Sequence, residues 1–152
     1  MQFLDLEILI TISMHTTNDS QKVFVDTCSF VSLHDDRDSN HEKAIALAKI
    51  LFEQKVQLYT SSDVIGETLT VIARKLGKKA AGDFYKEYGK SSIIELFVNH
   101  DIHEKTRDFF LHVTSKNISF IDCSNVIVMK QNSIQTIFTF DQDFKKFDVS
   151  LF

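Results

Sequence analysis

An α/β fold built on a mainly parallel sheet of about five strands is the architecture this sequence predicts. Three observations lead there. Short β-branched and aromatic runs alternate with stretches of helical period from residue 22 onward. Several of those runs stop at an aspartate, the place where an open α/β sheet borders its ligand crevice. No internal repeat, low-complexity tract or linker interrupts residues 21–152, and the absence of proline suits a helix-rich chain with few rigid turns.

The totals bound the function. At 152 residues the chain holds one domain with a real core. Apolar content of 43% with 25% charged residues is ordinary globular composition. Lys plus Arg number 17 against 21 Asp plus Glu, a net charge of −4, and the pI is near 5.8. That balance argues against general electrostatic binding of nucleic acid, so any such role needs a local patch. An acid excess also suits a site that collects carboxylates for metal ions. The two cysteines, Cys28 and Cys123, have no CxxC spacing, so neither a zinc motif nor a disulfide framework is indicated, and a reducing cytoplasm is the natural compartment.

Residues 1–20 read as an extension, disordered or accessory, to a domain over 21–152. Phe3, Leu4, Leu6, Ile8, Leu9, Ile10 and Ile12 are apolar, but Asp5 and Glu7 interrupt them. The run is too short to span a bilayer, and no Lys or Arg precedes it as a secretory signal needs. An upstream extension before a start at Met14 would look the same. Thr16 to Ser20 reads as a loop.

Lys22 to Val25 is a short buried strand that stops at Asp26. Asp26 reads either as a crevice residue or as the cap of a helix beginning near Cys28. His34 to His41 is a polar loop whose acids read as solvated, with Ser39 or Asn40 able to cap the next helix. There Ala44, Leu47, Ala48 and Leu51 recur at i, i+3, i+4, i+7. Val56 to Thr60 is a second strand, and Ser61-Ser62-Asp63 opens a third helix. Ile65, Thr68, Leu69, Ile72 and Leu76 form its core stripe, with Val64, Glu67 and Val71 on one shoulder. No capping box explains Glu67, which is either a surface residue or a site acid. Gly66 beside it lets another segment approach closely.

Arg74, Lys75, Lys78 and Lys79 close that helix. The helix dipole accounts for them, and phosphate contact is the functional alternative. Ala80 to Lys90 reads as a fourth helix, Ser92 to Val98 as a third strand and Asp101 to Ser115 as a helix. His100 and His103 have no acid placed beside them and are not assigned as ligands. Asn117 to Ile121 reads as a fourth strand ending at Asp122, with a helix over Cys123 to Gln131; a helix cap is the alternative for Asp122. Thr136 to Phe140 is a fifth strand, followed by Asp141 and Asp143.

Three strands thus end in Asp26, Asp122 and Asp141. In a parallel sheet their carboxylates share one edge, and Glu67 reaches them from the start of its helix. Such a cluster needs protons or cations for neutralisation. Hard divalent ions such as Mg²⁺ or Mn²⁺ suit carboxylate oxygens and support in-line phosphodiester displacement. Cys28 and Cys123, each beside one of these acids, are expected to be poorly ionised thiols or simply small core residues.

At Val25-Asp26-Thr27, Ser61 to Glu67, Phe120-Ile121-Asp122 and Thr139-Phe140-Asp141-Gln142-Asp143-Phe144 the chain resembles the PIN-domain ribonucleases, in particular the VapC-like toxins of toxin–antitoxin pairs. The resemblance covers about residues 22–147. It implies a Rossmann-like three-layer α/β/α sandwich and Mg²⁺- or Mn²⁺-dependent cleavage of RNA. Asp26, Glu67, Asp122 and Asp141 match its acidic positions, and Asp143 an auxiliary metal-site acid. Thr27 and Thr139 match its hydroxyl positions, which would orient those carboxylates. A small antitoxin protein and pairing into homodimers are implied as well. Two rival classes are weighed. A haloacid-dehalogenase-type phosphotransferase wants an Asp where Cys28 stands, and a receiver domain wants its Asp after the third strand and a Lys after the fifth. A catalytically inactive α/β interaction module would have no need of four acids in this order.

Overall fold

The computed structural model describes residues 21–152, so the extension expected over residues 1–20 lies outside the described residues. Among them are five strands and six α-helices. In chain order they are β1 (Lys22–Val25), α1 (Thr27–His34), α2 (His41–Glu53), β2 (Gln57–Ser61), α3 (Ser62–Leu76), α4 (Lys78–Tyr88), β3 (Ile94–Leu96), α5 (His100–His112), α6 (Phe120–Gln131), β4 (Thr136–Phe138) and β5 (Ser150–Leu151). A 3-10 helix, Gln142–Lys146, lies between the last two strands.

The sheet runs β3-β2-β1-β4-β5, with every neighbouring pair parallel. The chain steps outward from β1 to β3, then returns to lay β4 on the other side of β1. Right-handed crossovers therefore place α1 to α4 on one face and α5 and α6 on the other, which gives three layers. The helices group accordingly: α1 packs on α2 and α3, α3 on α4, and α5 on α6. β1 is the middle strand, so Val23, Phe24 and Val25 are fully buried. A continuous apolar run suits a strand covered on both faces. The direction of the order reverses between β1 and β4, and the crevice at their carboxyl ends is the default ligand position of such a sheet.

Of the core stripe expected on α3, Ile65, Thr68 and Ile72 are buried and Leu69 and Leu76 half-buried, while Val64, placed on the shoulder, is fully buried as well. Ser61 caps that helix, its hydroxyl accepting the Val64 N–H at 3.2 Å. Gly77, at φ 95°, breaks α3 from α4 in a conformation that a side chain would strain. Phe30 and Phe84 meet edge to face beneath α1, with centroids 5.7 Å apart; each such buried ring contributes about 1.5–3 kcal/mol.

Three expectations are corrected. Residues 117–121 form no strand: Ser119 caps α6 and Phe120 and Ile121 are its first two residues. Aromatic and β-branched character suggested a strand, but a reciprocal capping pair outweighs propensity there. The strand expected over 136–140 ends at Phe138, and β5 supplies the fifth strand at the sheet edge instead. The third strand is confined to Ile94–Leu96. Gly66 is exposed, and a Cβ there would meet nothing within 4 Å, so the close approach it allows is not used among the described residues. No helix of the described residues is long and apolar enough to cross a membrane.

Candidate active site

Asp26 follows β1 directly and occupies the cap position of α1, yet its side chain makes no cap bond. Its carboxylate turns across the switch point instead. Oδ2 accepts from Thr139 Oγ1 (2.9 Å) and from Cys28 Sγ (3.2 Å), while Oδ1 accepts from Asn125 Nδ2 (3.2 Å). Only 5% of the residue is exposed. Burial pushes the carboxyl up to about 6; the Thr139, Cys28 and Thr27 donors oppose the rise, and the charge of Asp122 adds to it.

The neighbouring acids are held in the same manner, each by a local donor. Thr27 Oγ1 donates to Glu67 Oε2 at 2.6 Å, tying the first turn of α1 to α3. Asp141 caps the 3-10 helix: its Oδ1 accepts the Asp143 N–H at 2.8 Å, and its own N–H donates to Thr139 Oγ1 at 3.1 Å. Thr139 thus links Asp26 to Asp141. Asp143 contributes that N–H, while its carboxylate pairs with Lys146 at 2.5 Å.

Asp122 reaches the site from the first turn of α6 rather than from a strand end. It is half of a capping box, Oδ2 accepting the Ser119 N–H at 2.7 Å while its N–H donates to Ser119 Oγ at 3.1 Å. Burial raises its carboxyl, the Ser119 bonds oppose this, and the charges of Asp141 and Glu67 raise it further. Asn125, three residues on and fully buried, was missed in the sequence. It donates to Asp26 and accepts from Ser61 Oγ at 3.4 Å, joining α6 to the ends of β1 and β2. An asparagine directly before the apolar run Val126 to Met129 was the available signal, since a buried amide needs partners.

The four acids line one cleft of about 330 Å³. Among the described residues no three His, Cys, Asp or Glu side chains already stand together as ligands of one ion. The donor set nevertheless suits a hard divalent cation: it is carboxylate oxygen throughout, and the charge of Asp122 raises the Asp26 carboxyl while Asp141 and Glu67 raise that of Asp122.

Cys28 lines the same cleft. Burial and then the charge of Asp26 push its thiol to about 12, and burial with Asp122 pushes Cys123 to about 11.

Of the four basic residues at the end of α3 and start of α4, Lys75 lines the cleft while Arg74, Lys78 and Lys79 do not. Lys79 pairs with Asp83 at 2.8 Å. Of the acids of the 34–41 loop, Asp36 is exposed as expected, while Asp35 is buried and Asp38 accepts from Ser32 Oγ and from the Asn40 N–H, both at 3.0 Å. His41 Nδ1 lies 2.7 Å from the Ser32 carbonyl oxygen.

Comparison with known proteins gives one consistent result. The family model described as PIN domain matches residues 23–150. The 23S rRNA-specific endonuclease VapC20 of Mycobacterium tuberculosis is 29% identical over 123 residues, covering 80% of this chain and 91% of that protein. The crystal structure of VapC20, described as a Sarcin-Ricin loop cleaving toxin, superposes with a TM-score of 0.72 at 27% identity, covering 84% of this chain and 98% of that one. VapBC2 from Rickettsia felis, bound to a DNA fragment from its promoter, shares the fold at a TM-score of 0.63 and 12% identity, covering 87% of this chain and 98% of that one.

Proposed function

The chain belongs to the PIN-domain family, and on that premise we propose that it is a divalent-metal-dependent endoribonuclease, the toxin of a toxin–antitoxin pair. The observation that carries this reading is the shared cleft of Asp26, Glu67, Asp122 and Asp141 at the β1/β4 switch point. Those four carboxylates would hold Mg²⁺ or Mn²⁺. A divalent ion bound there supplies a polarised water and charge stabilisation for displacement at phosphorus.

The chain's own groups orient and insulate. Thr27 fixes one oxygen of Glu67, and Thr139 and Asn125 hold Asp26 from opposite sides. Ser119 engages Oδ2 of Asp122, and the Asp143 N–H engages Oδ1 of Asp141. Asp143 is therefore auxiliary through its backbone, holding a ligand in place. Donors of this kind fix ligand orientation at metal sites, and their loss costs about 10–100-fold in affinity or activity. VapC20, described as an rRNA endonuclease and a toxin, supports RNA as the substrate and a small antitoxin protein as the partner.

The test is cleavage of single-stranded RNA in Mg²⁺ or Mn²⁺, beside thermal melting with and without the ion. Asp26→Asn, Glu67→Gln, Asp122→Asn and Asp141→Asn should each lower cleavage by about a hundredfold or more and shrink the metal-induced rise in Tm. Cleavage that persists in all four, with equal metal shifts, overturns the four-acid site.

A further inference from the structure

Glu67, Val71 and Lys75 stand at i, i+4 and i+8 on α3, and all three line the cleft. The wall of the cleft therefore continues along one helix face for about 12 Å beyond Glu67. Across that extension lie Asp38 and Asn40, from the loop between α1 and α2. Five carboxylates line the cleft (Asp26, Asp38, Glu67, Asp122 and Asp141), and Lys75 is the sole cation among its described lining residues. A polyanionic strand entering such a cleft meets repulsion everywhere except at bound metal and at Lys75.

Lys75 is aimed by fixed groups. Its Nζ lies 3.1 Å from Asp38 Oδ2 and 3.9 Å from Asp35 Oδ2. Asp35 is buried, and the other oxygen of Asp38 is anchored by Ser32 Oγ and the Asn40 N–H. Burial raises the Asp38 carboxyl, but those two donors and Lys75 together hold it below the ordinary carboxylate range. The lysine side chain is still 45% exposed, so its pairing is of the weak, solvent-screened kind that a phosphate can share or displace.

We infer that Lys75 receives a backbone phosphate of the RNA strand flanking the one that is cut, with Asp38 as the residue that positions it. This rests on the nuclease reading of the acids. Arg74, Lys78 and Lys79 have no such part, being outside the cleft lining.

The experiment uses the full chain and a labelled single-stranded oligoribonucleotide, with binding followed in Ca²⁺ and cleavage in Mn²⁺ over a salt series. Lys75→Gln should raise Kd and KM about tenfold and reduce the slope of log Kd against log salt by roughly 0.7, while kcat and the Mn²⁺-induced Tm shift stay near those of the parent. Lys75→Arg should restore most of the affinity. Asp38→Asn should raise KM while keeping the parent's salt slope. If Lys75→Gln lowers Tm but leaves Kd, KM and slope unchanged, Lys75 only ties the 35–40 loop to α3 and the inference is overturned. Lys75-dependent binding without cleavage by the parent would sink the nuclease reading and retain the phosphate contact. A parent that neither binds nor cleaves RNA removes both.

Discussion

Asn125 Nδ2 donates to Asp26 Oδ1 at 3.2 Å, joining two buried residues 99 positions apart in the chain. The bond ties the helix that carries Asp122 to the strand that presents Asp26. Asn125→Leu removes a donor from a buried carboxylate and leaves Ser61 Oγ facing an apolar group. The expected loss is about 1–3 kcal/mol of unfolding free energy, together with a clear fall in cleavage. Urea unfolding measures the first; a variant within about 0.5 kcal/mol of the parent would show the bond to be incidental.

Asp26 makes the metal-free protein sensitive to pH in a defined direction. Its folded pKa of about 6 lies above the ordinary 3.8, so the folded state holds the proton more tightly than the unfolded state does. That contribution is fully present below about pH 3.8, is lost as pH rises to about 6, and stays lost above. The difference, 6 − 3.8 = 2.2, corresponds to about 3 kcal/mol. Asp26→Asn should therefore gain stability relative to the parent between pH 4 and 7 in metal-free buffer. A constant difference between the two across that range counts against the buried, repelled carboxylate.

The capping role of Asp122 and its proposed role as a metal ligand can be separated by substitution. Ser119→Ala removes the hydroxyl half of the capping box while leaving all four acids, and should cost about 1 kcal/mol with or without metal. Asp122→Asn can keep the acceptor for the Ser119 N–H, so its metal-free Tm should match or exceed that of the parent while its Mn²⁺ response shrinks. Equal behaviour of the two variants in Mn²⁺ melts would leave Asp122 a cap and nothing more.

The thiols should be slow. Cys28 at about 12 against an ordinary 9.0 leaves roughly a thousandfold less thiolate at neutral pH. Cys123, at about 11 and fully buried, loses roughly a hundredfold by ionisation alone. Alkylation at pH 7.5 in metal-free buffer should be slow in native protein and fast in urea. Rapid native labelling of Cys28 would show that its bond to Asp26 is not kept.

The sequence by itself determined the layered fold, because period and turn chemistry are local. The apolar run of β1, the Ala44/Ala48/Leu51 stripe of α2 and the Ile65/Thr68/Ile72 stripe of α3 are legible without knowledge of any partner. It also fixed the order of Asp26, Glu67, Asp122 and Asp141, and hence the family resemblance. Where local signals conflict the sequence misleads: Asn117 to Ile121 has the composition of a strand, and the capping box of Ser119 and Asp122 starts a helix there instead. Only the tertiary structure decided how the acids are held and which lysine joins them. Thr27–Glu67, Thr139–Asp26, Asn125–Asp26 and Lys75–Asp38 join residues 37 to 113 positions apart. Such pairs depend on which helix crosses which strand end, and no window of sequence contains that. The difference between Lys75 and Lys78 is of the same kind: three residues apart, they are parted by the break at Gly77, and one faces the acids while the other does not.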